Sequence, residues 1–397
     1  MTGKKPEILC ISHKYPPSTG GMERQSYELI KGLRAYYKVH SFTYKKGDQP
    51  KVVWLAALKR HIMECLESHP EIRLIHLNDG AMASASLWMQ KELDIPVVVT
   101  YHGLDVTFPL DFYQDKLIPK LEQYDAAICV SEYTRQQCLK RGFDPEHTYT
   151  VPNGVDVSLA DKPDRREEIT EELLSQGVDV RGKRVIIASG RSVRRKGFSW
   201  FIKNVMPSLG SDVVLLMTGP RRQEQSFMQS VTRYIPWNDL RLFLGAPTDE
   251  AELDELLETT PGVYHLGRVS FDDLMSLYSL ADLFVMPNIP VEGDQEGFGL
   301  VALEASVRGT WVVASGIEGI TEAVIDGANG TLLPPRTGHQ QHHIGSERGH
   351  HILYKPREAL PSYRATTGDD HPLATHVYAS RQQLLGDLLP AIGLICQ

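Results

Sequence analysis

Two successive series of short apolar runs, each run followed by a helix-period segment, constrain this chain more than any other feature. "EILCISH", "KVHSFTY", "RLIHLND", "PVVVTYHG" and "AAICVS" are nearly continuous in Val, Ile, Leu and Tyr. A strand of that texture is buried on both faces, which happens when helices cover both sides of a parallel sheet. The segments between them, such as "GGMERQSYELIKGLRAYY" and "VWLAALKRHIMECLESH", carry the apolar spacing of amphipathic helices. A second series runs "RVIIASG", "DVVLLMTG", "RLFLGA", "VYHLGR", "LFVMPN" and "WVVASG". Between the two stands "VPNGVDVSLADKPDRREEITEELLSQGVDVRGK", with turn residues and charge but no buried strand. The chain is therefore expected to be α/β, with two Rossmann-like doubly wound parallel-sheet domains facing across a cleft. The boundary is placed near residue 160. Residues 1–160 form the first domain, 161–335 the second, and 336–397 an atypical tail. A length of 397 residues agrees, being too great for one ordinary core.

Charge narrows the function classes. With 42 Lys and Arg against 50 Asp and Glu, the net charge is −8, the wrong sign for a nucleic-acid partner. The start, "MTGKKPEILCISHKYPP", has the short apolar run of a first strand and not a secretory leader, and no run reaches the length of a membrane span. Five cysteines, Cys10, Cys65, Cys129, Cys138 and Cys396, include no CxxC pair and suit reduced thiols in the cytoplasm. Peripheral contact with the inner face of a membrane stays open. "YKVHSFTYKKG" is locally basic and aromatic, although a solvated surface is the preferred reading of it.

Four stretches carry chemistry. Gly20 and Gly21, in "PPSTGGMERQ", stand between the first strand and the first helix. Their amides suit an anion at the positive helix end, and a plain tight turn is the competing reading. The pattern is not GxGxxG, which argues against a nicotinamide cofactor; no cofactor is expected. His102, in "TYHGLD", follows a strand at the end where ligands bind, and is either a site residue or a structural histidine. "GRSVRRKG" crowds Arg191, Arg194, Arg195 and Lys196 beside glycines after another strand. A solvated loop would look the same, but at that position forked arginines and a lysine point charge make a diphosphate clamp. No Asp-x-Asp occurs in the chain, so no carboxylate-held metal is indicated and cations must stabilise a leaving phosphate. Finally, "EGFGLVALE" sets Glu296 in a loop and Glu304 inside a helix starting about Gly297 to Leu300. Measured along a helix axis the two are about 10 Å apart. The amides of Phe298, Gly299, Leu300 and Val301 between them suit a diphosphate. A ligand with hydroxyls at both ends and a diphosphate in the middle is a nucleotide sugar.

The order of the GG loop, "HG" after a strand, "PNGVD", "GR…RKG", "LGRVS…LMSLYSLADLFVMPN" and "EGFGLVALEA" resembles the large retaining glycosyltransferase family with the GT-B fold, often numbered family 4. The resemblance covers about residues 7 to 335. It implies that the second domain holds the donor, with Glu296 on the hydroxyls of the transferred sugar and Glu304 on the ribose. It puts Arg191 and Lys196 on the departing diphosphate and the backbone of Arg268 and Val269 against the base. His102 is then the histidine near the sugar, and Gly20 and Gly21 the loop over the phosphates. The implied activity is transfer of a sugar, with retention, from a UDP- or GDP-sugar to a glycan or lipid-linked acceptor. A nucleotide-sugar 2-epimerase shares the architecture but needs acid–base groups beside the sugar C2, and none stands out. A nucleotide-sugar-binding protein without turnover is the other alternative.

After Pro335 the pattern departs. The last 62 residues hold seven of the 15 histidines and a single lysine, Lys355. A metal site from His342, His343, His350 and His351 is the weaker reading, because histidines clustered in a polar tract define no ligand geometry. A frameshift near Arg336 is preferred, since moving the frame by one base can restore helical apolar spacing directly after "LLPP". The tail is expected to be poorly packed or to pack unlike the family, with Pro356, Pro361 and Pro372 breaking any long helix.

Overall fold

The computed structural model of the protein describes residues 5–18, 20–220 and 249–334. The expected strand "RLFLGA" and everything expected of the tail after Pro335 lie outside these residues. Among them the chain forms two compact units: the first runs to Gly154, the second begins at Val155, and Glu296–Phe298 group with the first. Each contains a six-stranded sheet whose strands are all parallel.

In the first unit β1 (Glu7–Ser12), β2 (Lys38–Thr43), β3 (Ile72–Leu77), β4 (Val97–Tyr101), β5 (Ala126–Cys129) and β6 (Thr148–Thr150) lie in the order β2-β1-β3-β4-β5-β6. Their near-continuous apolar runs have the expected cause. On β1, Ile8 and Cys10 join the layer of Leu29, Ile30 and Leu33 from the helix Gly21–Leu33. Leu9 and Ile11 point the other way, into the layer of Trp54, Leu58 and Ile62. Both layers exclude water, so β1, with both faces covered, is apolar from Ile8 to Ile11. The expected single helix "VWLAALKRHIMECLESH" is two segments, Lys51–Ala56 and Leu58–Ser68, meeting at Ala57. Four cysteines of the described residues are free thiols, and Cys129 and Cys138 stand 3.5 Å apart, sulfur to sulfur.

In the second unit β7 (Arg184–Ser189), β8 (Val213–Thr218), β9 (Val263–His265), β10 (Leu283–Met286), β11 (Trp311–Ser315) and β12 (Gly330–Leu333) lie in the order β12-β11-β10-β7-β8-β9. Ile186 and Ala188 of β7 pack with Phe198, Phe201 and Ile202 of the helix Phe198–Asn204, joined by Leu215, Met217 and Val285 from the neighbouring strands. Both strand orders reverse direction once, between β1 and β3 in one sheet and between β7 and β10 in the other. In open parallel sheets the loops leaving the carboxyl ends of such strand pairs diverge and open a crevice, and ligands bind there. Among the described residues no helix is long and apolar enough to cross a membrane.

Candidate active site

The two loops that leave β7 and β10 are locked together. After β7 the chain runs through a tight turn, with Lys196 N donating to Val193 O (2.9 Å) and Gly197 N to Arg194 O (3.0 Å). Ile289 N, in the loop after β10, donates to Arg195 O at 2.9 Å. The Arg195 guanidinium, 9% exposed, has its Nε 3.1 Å from Asp294 Oδ1 and 3.2 Å from the carbonyl of Gln295. Gly197 has φ +66°, and a Cβ there would stand 1.9 Å from Pro287 O. Only glycine permits both the left-handed backbone and that approach. Of the basic cluster, then, Arg195 holds the turn, Arg191 is exposed, and Lys196 is buried at 7% exposure. A Cβ added at Gly190, the residue after β7, would meet Lys196 Cε at 3.3 Å and Nζ at 3.7 Å, which puts the ammonium at the carboxyl end of that strand.

The "EGFGLVALE" stretch is partly as expected. Its helix spans Leu300–Val307, with Gly299 in the left-handed region (φ 98°) as N-cap and no side chain capping it. The amides of Leu300 and Val301 are therefore the open first-turn donors, whereas Phe298 and Gly299 precede the helix. Glu296 lies four residues ahead of Leu300, so helical rise does not measure its separation from Glu304, and the expected 10 Å does not apply. Glu304 sits within the helix at 6% exposure. Burial first, and then its carboxylate, hold the Tyr278 hydroxyl well above the usual phenol range. The Tyr278 hydroxyl also lies in the field of Ser189, the last residue of β7, which sets Glu304 toward the same strand end as Lys196. Arg268, exposed, and Val269, half-buried, follow β9, where Gly267 O accepts from Gly219 N at 2.8 Å just past β8. The structure thus brings Arg191, Lys196, Arg268, Val269, Glu304 and the helix start to one end of the second sheet.

In the first unit the reversal point carries a polar cluster. His13 follows β1, and its Nδ1 lies 2.9 Å from Asp79 Oδ2 beyond β3. Asp79 is fully buried and also caps the helix Gly80–Ala85 through Met82 N (2.8 Å). Hydrogen bonding and the charge of His13 outweigh burial and hold its carboxyl below the usual range. Asn78 connects the expected site residues. Its amide donates to Gln25 Oε1 (2.8 Å) and Ser26 Oγ (2.6 Å) on the helix that Gly20 caps and Gly21 begins. Its carbonyl accepts from His102 Nε2 at 2.8 Å. A carbonyl can only accept, so Nε2 carries a proton and Nδ1 is the atom free to accept in the neutral ring. Asp105 fixes the His102 backbone (N to Oδ1, 2.8 Å) and that of Gly80 (3.0 Å), and burial raises its carboxyl. Lys51 lies in the field of Lys14, Asp79 and Glu23, and burial, with help from Lys14, pushes it down to about 8.

Sequence reasoning missed His13, Asn78, Asp79 and Asp105, and the Arg195–Asp294 lock. A signal for the first group existed: polar residues just past the carboxyl ends of β1, β3 and β4, in "ISH", "HLND" and "TYHGLD".

His76, one position before the end of β3, supplies a test of this packing. It is fully buried, with Nε2 2.8 Å from Thr100 Oγ1, and burial, then the nearby His102, push it down to about 4. The folded protein takes up this proton only below about 4, the unfolded chain already near its ordinary 6.5. Stability is therefore expected to fall as pH drops from about 6.5 to 4, by roughly 3 kcal/mol from this group. Denaturant midpoints across that window should show the slope, and His76→Gln should flatten it. An unchanged slope in the variant would remove His76 as its cause.

The chain matches two families in tandem: Glycosyltransferase Family 4 over residues 19–159 and Glycosyl transferases group 1 over residues 183–342. Phosphatidyl-myo-inositol mannosyltransferase of Mycolicibacterium smegmatis is 28% identical over 265 residues, which is 66% of this chain and 58% of that protein. The chain therefore spans under two thirds of that relative's length. Alpha-maltose-1-phosphate synthase of the same organism is 27% identical over 363 residues, 82% of this chain and 84% of its own. Among solved structures, Anabaena HepE in complex with UDP and glucose superposes with TM-score 0.64 at 19% identity, covering 97% of this chain and 99% of that one, a likeness of fold. Two parallel sheets with these loops at their carboxyl ends, under two adjoining family matches, place the chain in the family 4 (group 1) glycosyltransferases of the GT-B fold.

Proposed function

We propose that the protein is a retaining glycosyltransferase that moves a sugar from a nucleoside-diphosphate sugar to an acceptor hydroxyl, in glycan, polysaccharide or glycolipid synthesis. The observation that carries this reading is the pair of loops after β7 and β10, the strands where the order of the second sheet reverses, which supply a buried lysine, an uncapped helix start and, one turn into that helix, a buried glutamate. Lys196 and Arg191 neutralise the diphosphate, together with the amides of Leu300 and Val301. Glu304 takes the ribose hydroxyls, the backbone at Arg268 and Val269 meets the base, and Glu296 holds the transferred sugar. Breaking the anomeric bond leaves an oxocarbenium-like sugar and a diphosphate. With attack on the leaving-group face, a diphosphate oxygen accepts the acceptor's proton and configuration is kept. The UDP bound by HepE favours a UDP-sugar donor, and the name of the mannosyltransferase relative favours a lipid-linked acceptor. Cytoplasmic work at the inner membrane face would suit such an acceptor.

A thermal-shift panel of UDP-, GDP- and ADP-sugars, followed by product analysis with the stabilising donor, tests the reading. Transfer with retained configuration is the expected result. A C2-epimerised donor formed without acceptor would mean an epimerase, and binding without release of nucleoside diphosphate a binding protein. Glu296→Ala is expected to abolish transfer, a loss of about 2–4 kcal/mol of transition-state stabilisation, while nucleotide still binds. Near-normal turnover in this variant would sink the role given to Glu296.

A further inference from the structure

We propose that Glu7, His40 and His69 form a binding site for a divalent transition-metal ion, zinc foremost, at the amino-terminal edge of the first sheet. The three residues come from three elements fixed by the fold. β1 and β2 pair in register, Glu7 with Lys38 and Leu9 with His40, so Glu7 and His40 are two residues apart on one face. That face is covered by the helix Leu58–Ser68, whose Leu58 and Ile62 share the core of Leu9. The helix ends at His69, held by its own N–H on Cys65 O (2.9 Å) and by Ile72 N on its carbonyl (3.1 Å). Burying the helix on the sheet thus delivers the His69 ring to the ring of His40, with centroids 4.0 Å apart and planes at 31°.

The donor atoms already converge. His40 Nε2 lies 2.7 Å from Glu7 Oε2, and all three residues offer a ligand atom within 4.8 Å of the others. Zinc with ligands at about 2.0–2.2 Å sets tetrahedral neighbours roughly 3.4 Å apart, so the rings need only small rotations to close on an ion. Two imidazoles and one carboxylate are a donor set that zinc takes, with a fourth position left to water. Glu7 is 3% exposed, and its present cationic partner is Lys38 at 3.0 Å. Lys38 is itself exposed and swings into water when an ion takes its place. A pair of Glu7 with Lys38 has no need of His69. A metal does. The site lies at the opposite end of the sheet from the loops that hold His13, Asp79 and His102, so its role is to pin the edge strand β2 and the helix end and not to take part in transfer.

The test uses the full chain. Because the tail contains seven further histidines, each a metal ligand by chemistry, wild type is compared with variants and not read alone. Zinc stoichiometry from a chromophoric-chelator competition should be lower by one ion in His69→Ala and in His69→Gln than in wild type. In His147→Ala, an exposed histidine elsewhere, it should match wild type. Zinc at a hundred times its Kd should raise the wild-type Tm by about 5 °C and leave both His69 variants unmoved. The same stoichiometry and the same Tm rise in the His69 variants as in wild type would overturn the site. So would a wild-type protein whose Tm does not respond to zinc. The metal-free Tm of each variant, read in the same scan, separates loss of the site from loss of the fold.

Discussion

Lys196→Met should lower kcat by about 10²–10³-fold, the scale of removing one preorganised charge that meets a transition state. That is about 3–4 kcal/mol of activation free energy. Methionine keeps the packing of the lysine stem, so the loss reports the ammonium. The size of the effect follows from position. Lys196 is 7% exposed at the end of β7, where a charge acts in a lower dielectric than at the surface and leaving-group charge is stabilised accordingly. Arg191, from the same turn, is exposed, so water and salt screen it. Arg191→Met should therefore cost about tenfold or less. The ranking is the check: steady-state kinetics with saturating donor, Lys196→Met against Arg191→Met, each with its Tm. An equal or larger loss at Arg191 would show that the leaving group is met at the rim and not at the buried ammonium.

The fold was legible because the physics that makes these strands is local and repeated. A strand covered on both faces must be apolar at nearly every position, and that pattern survives in "VVVT" and "VLLM" without any knowledge of partners. β6 (Thr148–Thr150) and β12 (Gly330–Leu333) were missed for the complementary reason. Each ends the sheet order as an edge strand of three or four residues, too short and too polar to leave a run. Residues past strand ends, Lys196 in the second unit and His102 in the first among them, were visible because the carboxyl ends of parallel strands are where ligands go. The pairs were not. Nothing in the sequence ties Arg195 to Asp294, 99 positions on, or Asn78 to Gln25 and Ser26. Such contacts follow from which strands lie side by side, and strand order is not written in periodicity. The same gap hid the division of labour in "RSVRRKG": four cations look alike until the packing buries two and leaves Arg191 in water.

The lock between the β7 and β10 loops should fail on adding one carbon. Gly197→Ala brings two costs. The left-handed backbone at φ +66° costs a residue with a Cβ about 1–2 kcal/mol. The new methyl would also stand 1.9 Å from Pro287 O, two residues before Ile289, which is tied by its N–H to Arg195 O. Neither loop can retreat without giving up that bond or the Arg195–Asp294 pair, so overpacking adds about 1–3 kcal/mol. Gly182 provides the control, because it has nearly the same φ, +67°, and nothing within 4 Å of its added Cβ. Gly182→Ala should therefore show the handedness cost alone. In denaturant unfolding, Gly197→Ala is expected to lose about 2–5 kcal/mol and Gly182→Ala about 1–2. Activity should separate them further, since the displaced turn carries Lys196 and a misplacement of about 1 Å costs on the order of 100-fold in rate. Equal destabilisation of the two variants would mean that the loops yield at no cost, and that the position of Lys196 is not set by the approach of Gly197 to Pro287.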